Sequence, residues 1–136
     1  MANYIDKIGK IIAAALCTAF SFMFGDMSGM FIALIVLIVL DYITGVMAAA
    51  VEHKLSSEIG ARGIAKKVFM LLIVAIANIV DVNVVGGDAH ALKSVVIVFY
   101  IANEAISLLE NAGRLGVPLP KKLLDVLAQL KDKADK

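Results

Sequence analysis

Tryptophan is absent from this 136-residue chain, which holds one cysteine, two prolines and two histidines. Each shortage excludes something. A lone Cys17 permits no disulfide within the chain, and inside an apolar run it reads as a small packing residue. Two histidines and one cysteine in separate segments leave no metal-ligand cluster. His53 stands by itself and is expected to be solvated. Without tryptophan, an interfacial aromatic belt must come from Tyr4, Tyr42, Tyr100 and the phenylalanines, which is thin. The chain has no Walker loop, HExxH, CxxC or nucleophile motif, and Gly86–Gly87 forms a turn rather than a phosphate cradle. No enzyme, cofactor, metal or nucleic-acid partner is expected.

Apolar residues, by contrast, make up 61% of the chain and charged ones only 18%. A soluble domain is about 45–50% apolar, so this chain carries more apolar surface than one core of its size can hide. It reads as an all-α integral membrane protein. Four apolar segments are separated by short polar stretches, at about 8–24, 30–51, 67–85 and 91–109. A helix needs about 20 residues to cross a hydrocarbon core of about 30 Å. The second and fourth segments meet this. The clean apolar runs of the first and third, Ile11–Phe24 and Val68–Val80, are shorter, and Lys7, Lys10, Lys66 and Lys67 can extend them by snorkelling. The first segment also has the look of a signal peptide, although another span begins five residues after it and no clear cleavage site follows.

Charge placement tests the four-span reading. With both termini cytoplasmic, every one of the 13 basic residues except Lys93 falls inside, while the outer turns offer Asp26 and Asp88. That is a strong positive-inside pattern. A three-span alternative lays the first segment on the surface and puts the N-terminus outside beside two lysines. The expected division is a transmembrane domain over 1–113 and a basic cytoplasmic tail over 114–136. In the tail, Pro118 and Pro120 stop the preceding helix. Leu123, Leu127 and Leu130 then recur at helical spacing, giving a short amphipathic helix for the membrane surface or a partner.

Polar residues inside the spans carry the functional reading. LIVLIVLDYITG (34–45) runs seven branched aliphatics into Asp41. A mid-membrane Asp costs roughly 2.5–3.5 kcal/mol, against about −5 kcal/mol from the twelve Leu, Ile, Phe and Val residues of that span. The span therefore inserts, and the acid is a functional-site candidate. At 1.5 Å per residue, Asp41 lies about 16 Å from the outer end of its span. Asn103 and Glu104 lie about 18–20 Å from Ala91, and Asn78 about 16 Å from Lys67. These residues are expected to share one mid-depth layer that contains no lysine or arginine. In NEAISLLEN (103–111), Asn103, Glu104, Ser107, Glu110 and Asn111 share a helix face that cannot look at lipid. Gly45, four residues after Asp41, and the following alanines allow close helix approach. Two readings stay open: interhelical hydrogen-bond glue, or a water-lined or assembly-controlling surface. In the expected middle loop, Ser56 or Ser57 is a candidate N-cap. Gly60 and Gly63 stand three apart. Lys66 and Lys67, like Lys121 and Lys122 in the tail, are placed at the membrane surface among anionic headgroups.

From Leu34 to Leu130 the sequence resembles the phage-holin and toxin-secretion holin family of Gram-positive bacteria and their phages, which includes holin-like proteins encoded beside large clostridial toxins. The matching stretches are LDYITG (40–45), LSSEIGARGIAKK (55–67), Asp81, NEAISLLENAGRLGVPLP (103–120) and KKLLDVLAQL (121–130). The first segment carries little of it. The resemblance implies a homo-oligomer in the bacterial cytoplasmic membrane that opens lesions and releases an endolysin or a folded toxin. Its motif positions include Asp41, Thr44, Gly45, Asp81, Asn103, Glu104, Ser107, Glu110 and Asn111, none with a catalytic role. Some holins use a second start to make an antiholin, and no methionine follows Met1 here before Met23. Two other functions compete: a small proton-coupled transporter with Asp41 or Glu104 as carrier, and a passive scaffold docking through the tail.

Overall fold

Two serines start two of the helices. In the computed structural model, which describes residues 1–87 and 90–134, Ser28 Oγ accepts from Phe31 N at 3.2 Å and opens α2, Gly29–Val51. Ser56 Oγ accepts from Ile59 N at 3.1 Å and opens α3, Ser57–Val80. Each satisfies an amide that the first helical turn leaves without a partner. α1 spans Ala2–Phe24, and α3 runs on through a π-helical turn, Asp81–Val85. α4 spans Ala91–Arg114, and α5 spans Lys121–Ala134.

The stops are equally local. After α2, His53 takes a left-handed φ of 56°, while His53 N donates to Ala50 O and Lys54 N to Ala49 O. After α4, Gly116 has φ 82°, with Gly116 N donating to Gly113 O and Val117 N to Ala112 O. Both are Schellman closures, which satisfy terminal carbonyls and turn the chain out of the helix axis.

α1, α2, the continuous α3 with its π turn, and α4 are all long and apolar enough to cross a membrane. The four-span expectation holds in that sense, and the helices run beyond the expected apolar spans. α1 starts at Ala2 rather than residue 8, α4 runs to Arg114 rather than 109, and α3 starts ten residues before 67. The expected loop of 52–67 shrinks to 52–56, because the Ser56 cap launches a helix through IGARGIAKK. Polar residues do not end a helix; only unmet backbone groups or a steric block does.

The bundle has a far end, with the α1–α2 and α3–α4 turns, and a tail end, with the α2–α3 turn and the exit to α5. α2 and α4 pack most closely, with α3 against both and α1 against α3. The apolar core of Phe24, Phe31, Leu34, Ile38, Val74, Ala75 and Ile97 fills the far half. Ala48 and Ala49 are buried, which lets α2 and α4 approach towards the tail end. α1 touches this core only through its last turn. Residues 2–22 of α1 are exposed, Cys17 among them, so the expected packing role for that thiol is not seen within one copy. Asp88 and Lys136 lie outside the described residues, as do the side chains of Leu127, Leu130 and Lys131.

Candidate functional site: a buried ion triad beside a polar cleft

Asp41 points from α2 into the bundle, Glu104 from α4 and Lys67 from α3. The Lys67 ammonium is 2.5 Å from Asp41 Oδ2 and 2.5 Å from Glu104 Oε2. Side-chain exposure is 8% for Asp41, 3% for Glu104 and 15% for Lys67, so the triad is largely withdrawn from solvent. One ammonium faces two carboxylates. Such a group persists at membrane depth because each charge has a partner; removing one partner strands another charge.

A second layer fixes the acid. Asn111 Nδ2 lies 3.0 Å from Asp41 Oδ1, 3.2 Å from the Asp41 carbonyl and 3.1 Å from Thr44 Oγ1. Thr44 Oγ1 lies 2.8 Å from the Leu40 carbonyl. Asn111 Oδ1 accepts from Arg114 at 3.2 Å, and Arg114 clamps Glu52 through Nε (3.1 Å) and Nη2 (2.8 Å). That fork holds the Glu52 carboxyl below the ordinary carboxylate range. The chain Glu104–Lys67–Asp41–Asn111–Arg114–Glu52 thus runs from the middle of the bundle to its tail end. Between residues 104 and 114 it covers about 15 Å.

Asp41, Lys67 and Glu104 themselves line a cleft of about 460 Å³ among α2, α3 and α4. Asn103, Ser107 and Glu110 line it on α4, with Lys66 on α3. The Tyr42 ring lies against Gly60 and Gly63: a Cβ on either would stand 3.5–3.6 Å from it. Both are ordinary contact distances, so the Tyr42 side chain packs directly on this face of α3.

Most of the sequence-predicted residues meet at this cleft. Asp41, Thr44, Gly45, Glu104 and Asn111 come together; Asn103, Ser107 and Glu110 form the cleft edge. Asn78 does not join them. Its Nδ2 reaches the Phe22 carbonyl at 3.4 Å near the far end, and its Oδ1 is buried with no partner among the described residues. Its depth was counted from Lys67 as the helix end, whereas α3 begins ten residues earlier. The same error placed Lys67 at the membrane surface and left the mid-depth layer without a cation. Lys67 sits three turns inside α3, and its ammonium is the centre of that layer. Lys66, one residue away, is exposed, as are Lys121 and Lys122.

Asp81 serves the far end. Its carboxylate accepts from Leu92 N at 3.2 Å and Lys93 N at 2.7 Å, supplying the cap that α4 lacks from its own His90. Lys93, expected in an outer turn, is buried. It donates to the Phe24 carbonyl, with its ammonium 5.8 Å from the centre of the Phe31 ring. Sequence reasoning missed Lys67, Lys93 and the Arg114–Glu52 clamp. A signal for Lys67 existed: two acids at one depth need a cation, and the Ser56 cap brings one within reach.

Nothing in the triad resembles a nucleophile with its base, and no group of three metal-ligating side chains occurs among the described residues. No solved structure matches the chain. Similar proteins include an uncharacterised protein of Halalkalibacterium halodurans, 42% identical over 93% of this chain and 96% of its own. An uncharacterised protein in the nagH 3′ region of Clostridium perfringens is 40% identical over 98% and 99%. An uncharacterised Listeria innocua protein is 40% identical over 90% and 86%. The bacteriophage holin family matches residues 18–132, from the last two turns of α1 into α5. With that match and four helices fit to span a bilayer, this multi-pass protein of the cytoplasmic membrane belongs to the bacteriophage holin family.

Proposed function

We propose that the chain acts as a holin: it accumulates in the bacterial cytoplasmic membrane, self-associates, and opens lesions that release an endolysin or a folded toxin. Family membership supports a holin-like, non-enzymatic membrane protein that self-associates. The observation that carries the reading further is the Asp41–Lys67–Glu104 triad beside an open polar cleft. In a single bundle the triad ties α2, α3 and α4 together and keeps three charges from lipid. In an assembly the same polar faces line water once the bundles part. Interhelical polar contacts in membranes average only about 0.6 kcal/mol, so many must act at once, which suits a concentration threshold. In this reading both termini are cytoplasmic, and residues 114–136 form a basic amphipathic tail at the inner surface.

Timed expression in a bacterial host, with a membrane-potential dye and a folded cytoplasmic reporter, tests it. The potential should collapse after a delay and the reporter should escape. An intact potential at high membrane levels of the protein overturns the reading. The proton-coupled transporter draws on the same two carboxylates beside the cleft, and it predicts proton flux with the reporter retained.

A further inference from the structure

The charges of the triad do not balance. Asp41 and Glu104 bring two carboxyls to one ammonium, so with both acids ionised the group carries one net negative charge. An unmatched charge is not kept at membrane depth: it finds a partner or is neutralised. A further cation would cancel it, and among the described residues the surrounding helices supply none. α2, α3 and α4 enclose the cleft, and the other charged groups there are Glu52 at the end of α2, Lys66 on α3, and Glu110 and Arg114 on α4. Arg114 is bound to Glu52, about 15 Å along α4 from Glu104. Lys66 precedes Lys67, and consecutive helical residues do not share a face; it is exposed, as is Glu110. Tyr42, the other titratable side chain on the cleft, sets its hydroxyl towards Gly60. Three cations (Lys66, Lys67, Arg114) thus meet four carboxyls (Asp41, Glu52, Glu104, Glu110), and the deficit of one positive charge persists over the whole cleft.

Hydrogen bonding distinguishes the two acids. Asp41 accepts at both oxygens, from Lys67 at Oδ2 and from the Asn111 amide at Oδ1. Donors to both oxygens favour a carboxylate. Glu104 is the more deeply buried of the two, and Lys67 donates to its Oε2. Each bound oxygen lies 2.5 Å from the Lys67 nitrogen, so at most twice that distance separates them. Two carboxyls this close, away from water, resist being charged together.

We propose that the closed bundle is a one-proton site: Glu104 holds a proton as the neutral acid, while Asp41 and Lys67 form the ion pair. The triad is then electrically neutral. A consequence for opening rests on the lesion reading above. When bundles part and water enters the cleft, Glu104 regains hydration and its proton passes to that water, leaving a carboxylate. The closed state holds one more proton than the open state, so rising pH favours opening. The ratio of open to closed shifts by up to about tenfold per pH unit for each copy. The dependence fades below the ordinary carboxylate range, where the open state is protonated as well.

Infrared spectroscopy of the full chain in lipid bilayers tests the proton directly. At neutral pH the parent should show the carbonyl stretch of a protonated carboxyl, displaced in heavy water. Glu104→Gln should remove it. Asp41→Asn should remove it too, because Lys67 then balances an ionised Glu104. Lys67→Met should about double it, since neither acid then has a counter-charge. A parent without this band, or a band that survives Glu104→Gln or Asp41→Asn, overturns the inference. The amide bands of the same spectra show whether each variant is helical, and the parent spectrum decides even if a variant does not fold. Vesicles loaded with a folded fluorescent protein separate the proton site from the lesion. Release should quicken with pH in the parent and lose its pH dependence in Glu104→Gln. Release that is indifferent to pH in the parent overturns the link between proton loss and opening. No release at any pH refutes the lesion reading, and the infrared band then still decides the proton site.

Discussion

The ammonium of Lys67 stands 2.5 Å from Asp41, a residue 26 positions earlier on a different helix, and reaches Glu104 at the same distance on a third. Three helices thus meet at one cation. The sign of each charge matters less than its having a partner, and the first predictions turn on that.

Replacing Lys67 by Met leaves two carboxylates facing each other away from water. Removing one member of a buried ion group costs about 3–5 kcal/mol. Lys67→Met should therefore lower the melting temperature of the detergent-solubilised protein. The triple variant Lys67→Met, Asp41→Asn, Glu104→Gln should recover most of the loss, because neutral groups of similar shape leave no stranded charge. Equal stability of the single variant and the parent would show that the triad is solvated.

Asp41→Asn keeps the shape and one hydrogen-bonding oxygen but leaves Lys67 with a single counter-charge. Insertion should be unaffected, since the apolar run already outweighs the acid. The delay before potential collapse should change. Unaltered timing at equal membrane level would assign Asp41 to packing alone.

At the far end, Asp81→Ala removes the acceptor for the amides of Leu92 and Lys93. Loss of a helix cap costs about 0.5–2 kcal/mol, and the start of α4 should show faster amide exchange. Exchange at the tail end of α4 should not change.

Gly25→Ala should be far more damaging than Gly60→Ala. Gly25 has φ 66°, and a Cβ there would come within 2.9 Å of Asn78 Oδ1. At Gly60 the nearest atom is Tyr42 Oη at 3.5 Å, an ordinary contact, and the backbone is helical. Alanine in a helix interior gains about 1 kcal/mol over glycine, so Gly60→Ala should leave the melting temperature unchanged or raised.

Glu52 sets a pH dependence at the tail end. Its hydrogen bonds from Arg114 hold its folded-state pKa below the unfolded value. Folding therefore favours the carboxylate. The contribution is fully present above the ordinary carboxylate pKa and is lost as pH falls through the lowered value. The pair is partly exposed, so the effect is small. Glu52→Gln should flatten this part of the acid limb of a melting-temperature profile, and an unchanged limb would show that the clamp does not couple to folding.

Much of the architecture was legible because it depends on short-range rules. Apolar run length sets the spans, and Pro118 and Pro120 mark the way out of the bundle. The depth argument set Asp41 and Glu104 at one level, counted from turns the sequence marks clearly, and the two meet on Lys67. It failed for Asn78 and Lys67, because the start of α3 lies inside a polar stretch that reads as a loop. Ten residues of helix move a side chain about 15 Å, enough to carry Lys67 from the surface to the triad and Asn78 out of it.

By itself, then, the sequence determined that this is a helical membrane protein with acids held at mid-depth, because hydropathy and helical rise act along the chain. The tertiary structure alone decided which charge meets which. Asp41, Lys67 and Glu104 lie on three helices, and their meeting depends on how those helices are set against one another. The same packing left α1 uncovered along most of its length, which no one-dimensional pattern records.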